Sequence, residues 1–121
     1  MKIYISHSSK LDYERNLYEP IRESAVFSSC EFFLPHEKER VAKKTRRVIE
    51  NSDAVIAETS LASTGQGIEL GWADMKHIPI LCINKPGGTP SSSLKYVCTS
   101  TKIYKTTQEL IAAIDSFINT L

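Results

Sequence analysis

The chain has 121 residues, 41% of them hydrophobic and 24% charged, with five Gly and five Pro. That balance supports one folded core and excludes a disordered chain, a collagen-like repeat and a disulfide scaffold. Fifteen Lys and Arg oppose fourteen Asp and Glu, and the formal charge of +1 argues against a dedicated nucleic-acid binder.

Lys2 to Ser6 is rich in β-branched and aromatic residues and predicts a first strand. Leu11 to Ser24 carries Leu11, Leu17, Tyr18 and Ile21 at helical spacing. Cys30 to Leu34 predicts a second short strand, closed by Pro35. Glu37 to Asn51 predicts a helix with Val41, Ala42, Thr45, Val48 and Ile49 on one face and a basic opposite face running from Lys38 to Arg47. Asp53 to Ala57 is a strand of the kind buried on both faces. Gly65 to Lys76 predicts a helix, Pro79 to Ile83 an apolar strand, and Asn84 to Ser93 a loop. A last strand falls within Tyr96 to Tyr104. Thr106 to Leu121 predicts a final helix, capped by Thr106 or Thr107, with Leu110, Ile111, Ile114, Phe117 and Ile118 facing inward.

Strands alternating with helices imply βαβ units. The expected fold is a single α/β domain over residues 1–121. It is a three-layer α/β/α sandwich around a five-stranded parallel sheet, flavodoxin-like or Rossmann-like in plan. In such sheets ligands bind beyond the carboxyl ends of the strands. The cysteines, Cys30, Cys82 and Cys98, show no CxxC spacing, and Cys82 reads as a small buried hydrophobe in an apolar strand. His7, His36 and His77 show no metal-ligand spacing, so no metal is expected. No apolar run approaches the ~20 residues of a membrane span. No signal peptide is visible, so the expected location is the cytoplasm.

The most informative segment runs from Asp53 to Ala73. A buried strand leads into a loop with Ser60, Ser63 and Thr64, and Gly65 and Gly67 open a helix. Glycines at a helix start let a ligand approach free amides that favour an anion. Glu69 follows in the first turn, where a carboxylate also complements the helix dipole.

This segment resembles the nucleoside 2-deoxyribosyltransferase-like superfamily, most closely its 2'-deoxynucleoside 5'-phosphate N-hydrolase branch. There a strand ending in Ala-Glu precedes a Ser, a Gly-x-Gly and Glu-Leu-Gly. The resemblance implies that Glu69 is the nucleophile that attacks the anomeric carbon. It implies that Tyr4 lines the active site. It implies a phosphate-binding set of Ser8, Lys10, Ser63, Gly65 and Gly67, with Ser93 reaching a phosphate in the partner subunit's site. His7 stands where the family has Gly, and Lys10 replaces an Arg. A second acid of the family, an Asp, is matched here by Thr45, which cannot protonate a leaving base at neutral pH. His36 and Glu37 are the candidate substitutes.

The implied activity is cleavage of the N-glycosidic bond of a nucleoside or its 5'-monophosphate through a covalent glycosyl-Glu69 intermediate, by hydrolysis or transfer. No cofactor is needed, and the implied partners are the small-molecule substrate and further copies of the chain, as a homodimer or larger. Neither nucleic acid nor membrane is expected as a partner. Two alternatives remain. One is a non-catalytic nucleotide-binding protein, motivated by Thr45. The other is a TIR-like NAD-cleaving or signalling domain, motivated by the run Ile5-Ser-His-Ser-Ser-Lys-Leu-Asp12.

Overall fold

The computed structural model describes residues 1–36 and 45–121. Its strands are β1 (Lys2–His7), β2 (Glu31–Phe33), β3 (Ala54–Glu58), β4 (Ile80–Asn84) and β5 (Ser100–Ile103). They form one parallel sheet in the order β2-β1-β3-β4-β5. The helices are α1 (Glu19–Arg22), α2 (Ala25–Ser29), α3 (Thr45–Glu50), α4 (Thr64–Met75) and α5 (Thr107–Asn119). Among the described residues no helix is long and apolar enough to cross a membrane.

Side chains alternate across a strand, and each face of the sheet has its own core. Ile3, Ile5, Ala54, Ile56, Leu81 and Ile83 pack with α1 and α5. Tyr4, Val55, Ala57, Ile80 and Cys82 pack with Ile49 of α3 and with Leu70 and Ala73 of α4. The expected α/β/α layering is therefore present, and β3 is buried along its whole length.

The helix expected over Leu11 to Ser24 is broken. A π-helical turn at Glu14–Tyr18 runs into α1, and Glu19 donates its backbone N–H to the Glu14 carbonyl. Pro20 has no N–H to continue the ordinary ladder, so the turn widens just ahead of it. α2 and a short 3-10 turn at Ser92–Tyr96 were not legible in the sequence. Of the helix expected over Glu37 to Asn51, Thr45–Glu50 is seen, and the rest of its basic face through Lys44 lies outside the described residues.

Cys82 requires a correction. It is buried on β4 as expected, but it is bonded to Cys98. The 3-10 turn brings Cys98 back beside β4, a long-range proximity that spacing along the chain does not reveal. Cys30 is a free thiol. Asp53 has a structural role. Its carboxylate accepts from the Lys2 backbone N–H at 2.7 Å while its own N–H donates to the Lys2 carbonyl at 2.8 Å.

Candidate active site

Strand order reverses between β1 and β3, because β2 and β3 lie on opposite sides of β1. The crevice at their carboxyl ends is where a doubly wound sheet binds ligands. Apart from tyrosines, the buried polar residues of the described chain are Ser6, His7, Ser8, Glu58, Thr59, Ser60 and Gln66. All lie at the ends of β1 and β3 or at the start of α4. Buried polar groups are costly unless bonded, and their concentration at one end of the sheet marks the site.

Glu69, half-buried on α4, is its centre. The Tyr4 phenol donates to Glu69 Oε2 at 2.6 Å, and the Ser6 hydroxyl donates to Oε1 at 2.8 Å. Tyr4 and Ser6 are two residues apart on β1 and so share a face. Burial raises the Glu69 pKa above the usual carboxylate range, and the hydrogen bonds from Tyr4 and Ser6 oppose that rise. The Tyr4 phenol is pushed far up by burial and then by the neighbouring Glu69 charge, so it stays a proton-bearing donor. Thr45, at the start of α3, weakly opposes that rise. Phe33 stacks on the Tyr4 ring at 5.5 Å.

Ser8 Oγ accepts from the Lys10 backbone N–H at 3.1 Å, which leaves its own hydroxyl proton free to donate, and the Lys10 side chain is exposed. Ser63 caps α4, accepting from Gln66 N–H at 3.4 Å. A Cβ at Gly65 or Gly67 would meet nothing within 4 Å, so the space over the start of α4 is open. Ser63 and Ser93 line one cavity of about 200 Å³ with Thr59, Gln66 and Gly67. Its α4 lining residues and Glu69 point to different flanks of that helix, toward the Ser92–Tyr96 turn and β1 respectively.

His36 stands in a ring cluster on the other face of the sheet, 5.1 Å from His7 and 5.0 Å from Tyr13. Glu37 lies outside the described residues. His7, placed where the resemblance has Gly, turns toward the π-helical turn at Glu14–Tyr18. Its Nδ1 donates to the Ser8 carbonyl at 2.9 Å, so Nε2 accepts from the Tyr18 hydroxyl at 2.7 Å.

Three site residues escaped the sequence reading. Ser6 was findable from its period-two relation to Tyr4. Glu58 ends an apolar strand, is 1% exposed, and accepts from Ser60 N–H at 2.6 Å, Ser60 Oγ at 3.0 Å and the Tyr104 phenol. Gln66 donates to the Glu58 carbonyl at 2.8 Å. The last two pin the ends of β3, β5 and α4 together. Trp72 is half-buried, with the Arg46 guanidinium 5.9 Å from its ring centre.

No family model matches the chain. A Methanosarcina mazei protein provisionally named 2'-deoxynucleoside 5'-phosphate N-hydrolase 1 is 44% identical over 45 residues, which is 37% of this chain and 28% of that relative's length. The structure of a Clostridium botulinum CMP N-glycosidase, BcmB, superposes with a TM-score of 0.67 at 18% identity, covering 95% of this chain and 99% of that one. A conserved protein from Enterococcus faecalis superposes with a TM-score of 0.67 at 15% identity, covering 97% of this chain and 98% of that one. The two structures share the fold. Together with the sequence match they agree with the resemblance to the nucleoside 2-deoxyribosyltransferase-like superfamily.

Proposed function

We propose that this protein is a retaining N-glycosidase acting on a nucleoside or, preferentially, its 5'-monophosphate. The observation that carries the reading is the Glu69 carboxylate at the strand-order switch, with each oxygen held by a β1 hydroxyl. The names of the similar proteins, an N-hydrolase and an N-glycosidase of nucleotides, support the same class.

In this reading a Glu69 oxygen attacks C1', and the C1'–N bond breaks with its electron pair leaving on the base. The transition state carries oxocarbenium character that the carboxylate stabilises before the covalent ester forms. Water then adds at C1', freeing the sugar phosphate and restoring the carboxylate. A second base in place of water would give transfer. The Tyr4 phenol and the Thr45 hydroxyl are not acids at neutral pH, so the departing base takes its proton from solvent or from a group beyond this cluster. General-acid help is worth roughly 10²- to 10⁴-fold, which sets the handicap of a site without it.

The phosphate would sit over the open start of α4 beside Ser63, with Ser8 and Lys10, which follow β1, as the further hydroxyl donor and point charge that the resemblance implies. Binding energy from that remote group would hold C1' against Glu69.

The test is a panel of deoxynucleoside and ribonucleoside 5'-monophosphates and the free nucleosides, with base release followed by chromatography. Wild type should release base, faster from monophosphates, and Glu69→Gln should lower the rate by roughly 10³-fold or more. Equal turnover of nucleosides and monophosphates would remove the phosphate part. Nucleotide-dependent thermal protection without turnover would make the chain a binding protein.

A further inference from the structure

We infer that Ser6 is a positioning residue for Glu69, holding Oε1 while Tyr4 holds Oε2, so that the carboxylate meets C1' in one fixed orientation. The inference rests on reading Glu69 as the nucleophile. Ser6 is fully buried, and its hydroxyl donates to Glu69 Oε1 at 2.8 Å. The two donors stand one strand repeat apart, so together they bracket the carboxylate along β1. A carboxylate tied at one oxygen can still turn about its terminal torsion, which is broad and two-fold. Tied at both, it cannot.

The Tyr4 phenol, held proton-bearing by burial and by the Glu69 charge, can only donate to Oε2. Ser6 holds the second oxygen. Hydrogen bonds to an ionised carboxylate also oppose its protonation, so Ser6 contributes to keeping Glu69 charged within a buried site. From β1 the titratable neighbour is Tyr4. α3 brings Arg46, over the Trp72 ring. On the faces of β3 and β4 packed against α4, the residues are Val55, Ala57, Ile80 and the bonded Cys82, none of which titrates.

The test compares Ser6→Ala and Ser6→Thr with wild type by two readouts. The first is the pH dependence of kcat and KM. Ser6→Ala should lose about 10- to 100-fold in kcat, the equivalent of one hydrogen bond to a charged group, with KM little changed. The acid limb of its profile should move up by roughly one pH unit. Ser6→Thr, which keeps the hydroxyl, should restore most of both. The second readout needs no substrate: carbon-13 NMR titration of the glutamate carboxyl carbons, with Glu69→Gln to assign the resonance. The Glu69 midpoint should rise in Ser6→Ala and stay at the wild-type value in Ser6→Thr. A wild-type kcat, acid limb and midpoint in Ser6→Ala would overturn the inference while leaving the glycosidase reading intact. If wild type releases no base from any substrate, the glycosidase reading fails, and the carboxyl titration alone decides whether Ser6 holds Glu69.

Discussion

His7 shows how one side chain ties stability to pH. It is 6% exposed, with Nδ1 on the Ser8 carbonyl and Nε2 on Tyr18. Burial pushes its pKa down to about 4, the Ser8 hydrogen bond opposes that shift, and His36 adds to it. In the unfolded chain the ordinary value is about 6.5. Between those values the unfolded state binds more protons, so stability is full above about pH 6.5 and is lost as pH falls toward 4. The contribution is about 3 kcal/mol at most. The melting temperature of wild type should therefore fall more steeply from pH 7 to pH 4 than that of His7→Gln. Parallel slopes for the two proteins would refute this account. The sequence showed only that His7 replaces a glycine in a loop. Which face of β1 the ring would take depended on where that strand ended, at His7 rather than Ser6.

α4 is close to the expected helix, but it starts at Thr64 rather than Gly65, which puts Glu69 beyond the first turn where it was expected. Ser63 caps it, two glycines stand in its first turn, and Leu70 and Ala73 at helical spacing make its buried face. The same local signals predict what Ser63→Ala should do. Loss of the cap should cost about 1 kcal/mol in thermal or urea unfolding. If the phosphate rests over this turn, KM for a monophosphate should rise while that for the free nucleoside stays near wild type. An equal change for both substrates would confine Ser63 to capping. Elements without such local signals were missed. α2 is five residues long and the Ser92–Tyr96 turn has no buried residue, so neither shows a hydrophobic period. The break before α1 hinged on Pro20, whose effect on the preceding turn appears only once the helix ladder is drawn.

At the scale of the whole molecule, the order of strands and helices was legible because β3 and β4 are apolar up to their last residue and the long helices are amphipathic. Contacts that join distant segments were not. The Glu58–Tyr104 bond and the Cys82–Cys98 bond both link β3 or β4 to the edge of the sheet, across separations that no spacing rule spans. The disulfide closes a loop between residues 16 apart and anchors the end of the 3-10 turn whose Ser93 and Leu94 wall the cavity beside α4. Closing a loop of that size stabilises a fold by about 3 kcal/mol, through the states it removes from the unfolded chain. Cys98→Ser, or full reduction, should therefore lower the melting temperature by roughly 10 °C. Glu69, Tyr4 and Ser6 lie on a different flank of α4, so base release measured well below the melting transition should fall far less than in Ser6→Ala. Thiol titration of the denatured, unreduced protein checks the premise. One reactive thiol, Cys30, is expected. Three would show that Cys82 and Cys98 are not joined, and the stability attributed to the bond would then have to come from the packing of the turn against β4.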